Sequence, residues 1–291
     1  MWKLAAALLV LAATAGTDDY QREIETWRQA RETRLRGDEG WLTVAGLFWL
    51  KEGENRFGSD PGGEVVLPAH SAPARAGILR LTKGKVTVEP AAGVPVTLGG
   101  KPVGKAELRS DVPGPADVVS LGRTRFFVIE RSGKLAIRLR DLDSPARKSF
   151  TGLRWFPVRK EYRVVGKFTP HSAPKKLSIP NVLGLVEEMV SPGYVTFQLQ
   201  GKELRLEPVY ETPAEDELFF IFRDKTSAHE TYGAGRFFYA EKPRNGEVII
   251  DFNKAYTPPC AFTRFATCPL PPRQNQLPVR IEAGELDYGH H

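Results

Sequence analysis

Residues 125–141 read RFFVIERSGKLAIRLRD, and this stretch is the clearest indication of the fold class. Apolar and polar residues alternate on both sides of Ser132-Gly133, with the period of two that is typical of half-buried strands. A short serine–glycine pair between two such runs favours a tight turn. The stretch therefore predicts an antiparallel β-hairpin with strands over residues 125–131 and 134–141.

Strand-like runs of the same kind extend through most of the chain on both sides of this hairpin. They are short, they are separated by glycine- and proline-rich turns, and they leave little room for helices. This pattern predicts an all-β protein built from antiparallel sandwich or barrel layers. The turn Asp-Leu-Asp-Ser-Pro at residues 141–145 is the candidate domain junction. It separates a small β-sandwich over residues 41–143 from a larger antiparallel β-barrel or sandwich over residues 144–291.

The helical exception is the N-terminal segment, residues 16–40. Apolar or long side chains recur at three- and four-residue steps from Tyr20 to Arg36, which predicts one amphipathic helix there. Asp18 or Asp19 could cap its start, and Gly37 is suited to end it.

Residues 1–15 have the organisation of an export signal. Lys3 provides a positive start, Leu4–Ala13 an apolar core, and Ala13-Thr14-Ala15 a cleavage site with small residues. We therefore expect cleavage after Ala15 and a mature protein that is periplasmic or secreted. No later run reaches the roughly 18 apolar residues that a membrane-spanning helix needs.

Charge and cysteine content narrow the function classes. Lys and Arg outnumber Asp and Glu by 41 to 35, but the basic residues are scattered, whereas nucleic-acid binders concentrate them in patches. Cys260 and Cys268, eight positions apart, favour a disulfide in an oxidising compartment, with a pair of free thiols as the alternative. Two cysteines without a histidine at finger spacing do not make a zinc site. We therefore expect that the protein binds no nucleic acid, no metal ion and no cofactor.

Polar residues with binding or acid–base chemistry are concentrated between residues 223 and 256. The candidate strands 218–223, 236–240 and 248–252 could be antiparallel neighbours, which would bring Arg236 and Asp251 together at one end of a sheet. The loop 224–235 would then cover the mouth of the C-terminal β domain. The candidate ligand-binding residues are Arg223, Glu230, Tyr232, Arg236, Asp251, Asn253 and Tyr256.

Two functions are compatible with these residue types. The first is binding of a small polar or anionic ligand, since arginines can clamp an anion and tyrosines can donate hydrogen bonds. The alternative is a hydrolase that uses Asp251 or Glu230 with Tyr232 and Arg236. A purely structural role for the same ion pairs stays open. The absence of an activated nucleophile favours the binding function.

Several runs give the chain a family resemblance. WLTVAGLFWLKEGENRFGSD, IPNVLGLVEEMVSPGYV, ELFFIFRDKTS and above all DFNKAYTPPCAFTRFATCPLPP resemble the bacterial and archaeal "domain of unknown function 1684" family. The resemblance extends over nearly the whole chain after the export signal. It implies no particular activity, because the family name carries none.

A second resemblance is local. Leu50–Gly53, Phe57–Asp60 and Val65–Pro68 are similar to the opening of a fork-head-associated (FHA) domain, a β-sandwich that reads phosphothreonine. The sequence departs from that family where Ser59 replaces its arginine and where residues 74–77 lack its serine and histidine. The resemblance therefore implies a sandwich fold and argues against phosphopeptide reading.

Overall fold

The computed structural model describes residues 2–211 and 216–289, with side chains from Asp19 onward. The chain divides into two compact units. Unit 1 contains the residues up to Arg34, Gly152–Ala261 and the residues from Cys268 on. Unit 2 contains Leu35–Thr151 and the short return segment Phe262–Thr267.

Helix α1 spans Trp2–Arg36 and includes the predicted helix in its second half. Asp18 and Asp19 lie inside it and not at a cap, because the preceding leucine- and alanine-rich run has a high helix propensity. The predicted export signal, residues 1–15, lies outside the part of the chain whose side chains the structure describes. Within the described residues, no helix has both the length and the apolarity needed to cross a membrane.

Unit 2 is a β-sandwich. Its strands are β1 (Val44–Trp49), β2 (Gly53–Gly58), β3 (Val65–Val66), β4 (Gly77–Thr82), β5 (Lys85–Pro90), β6 (Thr97–Leu98), β7 (Lys101–Pro102), β8 (Ala106–Leu108), β9 (Val119–Leu121), β10 (Thr124–Arg131) and β11 (Lys134–Asp141), followed by the short helix α2 (Pro145–Ser149). A six-stranded sheet has the order β1-β11-β10-β9-β6-β7, and a five-stranded sheet has the order β3-β2-β4-β5-β8. Neighbouring strands of these two sheets are antiparallel except for β2 and β3, which pair in parallel.

The core of unit 2 lies between these sheets. Alternate residues of each sheet point inward, so that Phe57 and Leu79 of one sheet and Phe126 and Ile137 of the other belong to one buried cluster. The rings of Phe57 and Phe126 are 5.4 Å apart between centroids. The predicted hairpin is confirmed, since β10 and β11 pair up to Arg131 and Lys134 at the turn.

Unit 1 carries the C-terminal strands, which form a half-barrel sheet and a separate two-stranded ribbon. The strands are β12 (Arg163–Pro180), β13 (Val186–Leu199), β14 (Lys202–Leu206), β15 (Glu217–Phe222), β16 (Arg236–Glu241) and β17 (Glu247–Asp251). The four-stranded sheet has the order β14-β13-β12-β17, and the ribbon pairs β15 with β16. The predicted β fold with an N-terminal helix is therefore confirmed.

One predicted strand pairing is wrong. β16 pairs with β15, but β17 pairs with β12, its register running from Asp251 opposite Arg163 to Glu247 opposite Lys167. Adjacency in sequence indicated a β16–β17 pair, whereas the hydrogen bonds of β17 are made with a strand about 80 residues earlier. The expected convergence of Arg236 and Asp251 at one sheet end therefore loses its basis.

Candidate functional site

Arg236 is the centre of a buried polar network in unit 1. It begins β16 with its side chain inward and is fully buried, as is the side chain of Asp224. Its guanidinium donates to the Asp224 carboxylate at 3.2 Å and to the backbone oxygens of Ile281 and Ala283. Burial lowers the pKa of Arg236, and the charge of Asp224 opposes that shift. The sequence had indicated Asp251 as the partner of Arg236; the structure gives it Asp224.

The loop 224–235 folds onto itself. The Thr226 hydroxyl lies 2.9 Å from both Asp224 Oδ1 and the Thr231 hydroxyl, and the Thr226 carbonyl accepts from three following backbone amides. The amide of Ile281 donates to Asp224 Oδ2 at 2.7 Å. The polar side chains of Asp224, Thr226 and Thr231 are therefore bound within the loop and to the C-terminal segment.

Asp251 belongs to a second cluster, which fixes helix α1 within unit 1. The Tyr20 hydroxyl lies 2.9 Å from both carboxylate oxygens of Asp251, and the Asn253 side-chain amide donates to that hydroxyl at 3.0 Å. The backbone amide of Asn253 donates to Asp251 as well. Burial raises the pKa of Asp251 and that of Tyr20. This arrangement caps the end of β17 and binds the helix.

Tyr256 lies in a third cluster, beneath helix α1. The Arg31 guanidinium lies 4.4 Å from the centre of the Tyr256 ring, and it binds the buried Glu285 at 2.6 Å. The Tyr256 ring stacks on Tyr239, whose hydroxyl donates to Glu211 at 2.6 Å. Burial raises the pKa of Glu285. Arg31 and Glu285 were not singled out from the sequence, because one lies on a helix and the other 254 residues later.

Glu230 and Tyr232 point to different surroundings although they are two residues apart. Glu230 accepts from the half-exposed Arg280. Tyr232 lies beside the Cys260 thiol, and burial first of all, together with that thiol, raises the pKa of the Tyr232 hydroxyl. Both cysteines are reduced, so the predicted disulfide is not formed in this structure.

The predicted residues are thus distributed over separate clusters. Arg236 binds Asp224, Asp251 binds Tyr20, Glu230 binds Arg280, and Tyr232 lies beside Cys260. Within the described part of the chain, no hydrogen bond or ion pair joins any two of the four residues of the hydrolase alternative. Among the described residues, no group of three His, Cys, Asp or Glu side chains is placed to hold a metal ion.

The clusters just described lie largely within a region that matches a known family. Residues 148–286 match the model of the family described as "Protein of unknown function (DUF1684)". The chain belongs to this family. The match covers about half of the chain, whereas the resemblance read from the sequence extended over nearly all of it. The DFNKAYTPPCAFTRFATCPLPP run lies inside the DUF1684 region, and the WLTVAGLFWLKEGENRFGSD run lies outside it.

Solved structures that are similar to parts of the chain include the following three. The uncharacterised protein from gene locus rrnAC0354 of Haloarcula marismortui is 33% identical, with 48% of this chain and 78% of that chain covered and a TM-score of 0.42. An FHA domain from a study of phosphothreonine-dependent FHA domain interactions is 21% identical, with 31% and 79% covered and a TM-score of 0.23. The FhaA FHA domain complexed with the intracellular domain of Rv3910 is 19% identical, with 32% and 97% covered and a TM-score of 0.24. A search of curated proteins found no match.

The DUF1684 region also contains a cluster that sequence reasoning missed. His171 Nε2 lies 2.8 Å from the Glu207 carboxylate and 3.5 Å from the hydroxyl of the fully buried Ser191. Serine and glutamate reach the same ring nitrogen, so the three cannot pass a proton along a chain as a Ser-His-acid triad does. The sequence gives little signal for this cluster, because His171 follows Pro170 in a run that is typical of a turn. Only the pairing of β12 with β13 brings it close to Ser191.

The remaining predicted residue, Arg223, lies on an exposed ladder. Residues 223–225 run parallel to residues 275–279 and are joined by three backbone hydrogen bonds of 2.7–3.0 Å. Alternation turns Asp224 inward and leaves Arg223 and Lys225 exposed. Neither cation has a side-chain partner among the residues that the structure describes. We call the exposed side chains of Arg223, Lys225 and the neighbouring Arg280 the basic ladder.

Proposed function

We propose that this DUF1684 protein is exported and binds a small anionic ligand on the basic ladder of its C-terminal unit. The observation that carries the proposal is a pair of exposed cations, Arg223 and Lys225, for which the described residues provide no side-chain partner. They are two residues apart on an extended segment, so their Cα atoms are about 7 Å apart. One small anion with two or more charges can contact both.

The backbone of the basic ladder supports such binding because it is already fixed. The amides of Arg223 and Lys225 donate to the carbonyls of Asn275 and Val279 at 3.0 and 2.9 Å. Asp224, between them, is held by Arg236 inside the unit. A ligand would therefore have to order only the two side chains, which keeps the entropic cost of binding low.

Arg280 limits the size of the proposed ligand. It is already bound by Glu230 and by Glu282, so it brings no unmatched positive charge to the ladder. The carboxylates of Glu230 and Glu282, beside Arg280, repel a large polyanion. A compact anion can still bind between Arg223 and Lys225. This favours a small oxyanion over a nucleic acid.

Titration with pyrophosphate at low ionic strength tests the binding proposal. Followed by calorimetry, wild-type protein should bind, and Arg223→Met should weaken binding at least about tenfold, since a hydrogen bond to a charged group contributes about 1.5–3 kcal/mol. Lys202→Met, at another exposed lysine of the same unit, is the matched control and should bind as the wild type does. Affinity should fall as salt is added. Equal affinity in wild type and in an Arg223→Met/Lys225→Met double variant would show that the ladder is not the site.

Export is tested separately by mass spectrometry of the periplasmic or secreted fraction of expressing bacteria. The Lys3, Leu4–Ala13 and Ala13-Thr14-Ala15 pattern supports cleavage after Ala15. The recovered protein should therefore begin at Gly16. Recovery of a chain that still contains Lys3, in the cytoplasm only, would contradict export and leave the ligand proposal untouched.

A further inference from the structure

The two cysteines of unit 1 are neighbours in space and differ in accessibility. The backbone amide of Cys260 donates to Cys268 Sγ at 3.2 Å, so the second sulfur lies directly against the first residue. Cys260 is partly exposed, whereas Cys268 is 5% exposed. When an accessible thiol lies beside a buried one, the accessible sulfur can react first with an external disulfide, and the buried sulfur can then form the protein disulfide.

Tyr232 completes this thiol cluster, which consists of Cys260, Cys268 and Tyr232. Hydrogen bonds from the Cys268 thiol and from the Tyr232 hydroxyl lower the pKa of Cys260, although burial opposes the shift. The pKa of Tyr232 is raised by burial and by the nearby thiols, so its hydroxyl keeps its proton and remains a donor. Both donors favour the thiolate of Cys260, which is the nucleophilic form.

We propose that Cys260 and Cys268 are a reversible dithiol–disulfide site, with Cys260 as the attacking thiol and Cys268 as the resolving thiol. Tyr232 is a positioning residue that holds the Cys260 sulfur and supplies a hydrogen bond to its charge. This site goes beyond the proposed anion binding and does not depend on it.

The oxidant in this proposal is a low-molecular-weight disulfide. The Cys260 thiolate attacks one sulfur of that disulfide, forms a mixed disulfide, and releases one small thiolate. The Cys268 sulfur, after loss of its proton to solvent, attacks Cys260 Sγ and releases the second small thiolate. Two protein thiols become one disulfide, and one small disulfide becomes two small thiols. The Cys260 amide, already directed at Cys268 Sγ, stabilises the thiolate that forms there.

Alkylation of the reduced wild-type protein tests the assignment without any substitution. With iodoacetamide at neutral pH and peptide mapping by mass spectrometry, Cys260 should react at least about tenfold faster than Cys268, because it is more exposed and more often a thiolate. Equal rates, or faster labelling of Cys268, would overturn the assignment of roles.

Oxidised glutathione then tests the two steps. The wild type should lose two hydrogens in mass and carry no lasting adduct. Cys268→Ser should retain a glutathione adduct on Cys260, and Cys260→Ser should be modified much more slowly on the buried Cys268. Dithiothreitol should restore the reduced mass in each case. A lasting adduct in the wild type would show that Cys268 does not resolve it, and the proposal would fall.

Tyr232→Phe separates positioning from a merely structural role. Loss of the hydroxyl removes a donor to the Cys260 thiolate, so the pH midpoint of Cys260 alkylation should move upward while the limiting rate at high pH is kept. Tyr194→Phe, at a half-buried tyrosine beside His171, is the matched control and should leave the profile unchanged. An unchanged midpoint in Tyr232→Phe, with Cys260 still the faster thiol, would remove Tyr232 from the site.

Discussion

Arg236 shows how a charged side chain can be fully dehydrated and still belong to a stable fold. Its partners are the Asp224 carboxylate, the Thr226 hydroxyl and two backbone carbonyl oxygens, and within the described structure only its Nε lacks an acceptor. The Phe222 ring, 5.3 Å from the guanidinium carbon, adds a cation–π contact. Removing water from both ions of such a pair costs several kcal/mol, and the loss is offset only while both partners are present. The stability of unit 1 should therefore depend strongly on keeping both Arg236 and Asp224.

Arg236→Met should lower the free energy of unfolding by about 3–5 kcal/mol, because it leaves the Asp224 carboxylate buried without its counter-charge. Urea unfolding followed by circular dichroism measures the change. Arg280→Met, which removes an exposed partner of Glu230, should cost no more than about 1 kcal/mol. A double variant, Arg236→Met with Asp224→Leu, should recover much of the loss. Equal stability of the two single variants would mean that the buried pair does not support the fold.

Asp251 makes stability depend on pH in the direction opposite to an ordinary paired carboxylate. Burial raises its pKa in the folded protein, so folding favours the protonated form. Its contribution is fully present below the unfolded pKa of about 3.9 and is lost as pH rises through the raised folded value. A neutral side chain of the same shape would avoid this loss.

Asp251→Asn should therefore gain stability relative to the wild type as pH rises from about 4 and then level off above the folded pKa. The asparagine oxygen can still accept from Tyr20. Urea midpoints of both proteins across this pH range provide the measurement. Asp216→Asn, at a carboxyl whose side chain is 99% exposed, serves as the control and should follow the wild-type curve. A constant difference between Asp251→Asn and wild type would contradict the raised pKa.

At the scale of the element, helix α1 is attached to unit 1 by one face of its second half. Ile24 is completely buried, the Trp27 ring contacts Trp155 edge-on at 5.7 Å, and Arg31 reaches Glu285. These positions recur at the three- and four-residue steps that predicted the helix from sequence. Apolar packing and one dehydrated ion pair thus hold the same stripe of the helix.

Ile24→Ala should destabilise the protein by about 2–5 kcal/mol, since it removes a fully buried side chain and leaves a cavity under the helix. Gln29→Ala, on the exposed face of the same helix, should change stability by less than about 0.5 kcal/mol. Thermal unfolding of the two variants side by side provides the comparison. If Ile24→Ala and Gln29→Ala unfold together with the wild type, the helix is not docked through this face.

The strands themselves could be predicted from the sequence, but their partners could not. The predicted strand 236–240 is observed as Arg236–Glu241, and 248–252 as Glu247–Asp251, because alternation is a local property. The partner of β17 is β12, and nothing within either strand specifies a pairing across 80 residues. The sequence therefore placed the predicted binding residues at one end of a single sheet, whereas the observed pairing puts β16 and β17 in different sheets. The His171–Glu207 contact was hidden for the same reason.

At the scale of the whole molecule, unit 1 is completed only by the last part of the chain. Leu277, Val279, Ile281 and Ala283 belong to its core cluster, and Glu285 is the partner of Arg31. The same segment provides two of the acceptors of Arg236. Unit 2, in contrast, takes no residue after Thr267. The folding of unit 1 therefore depends on the C-terminal segment, whereas that of unit 2 does not.

A chain that ends at Asn275 should contain a folded unit 2 and an unfolded unit 1. It loses three large buried side chains worth about 2 kcal/mol each and leaves Arg31 and Arg236 short of partners at about 3–5 kcal/mol each. Together these losses reach the upper end of the roughly 5–15 kcal/mol that stabilise an ordinary domain. Limited proteolysis with peptide mapping should show protection within residues 35–151 and cleavage within residues 152–261. A chain that ends at Gly289 keeps every contact named here and should resist cleavage as the full chain does. If the chain ending at Asn275 unfolds in one cooperative transition with wild-type protection of both units, the C-terminal segment is not part of the core of unit 1.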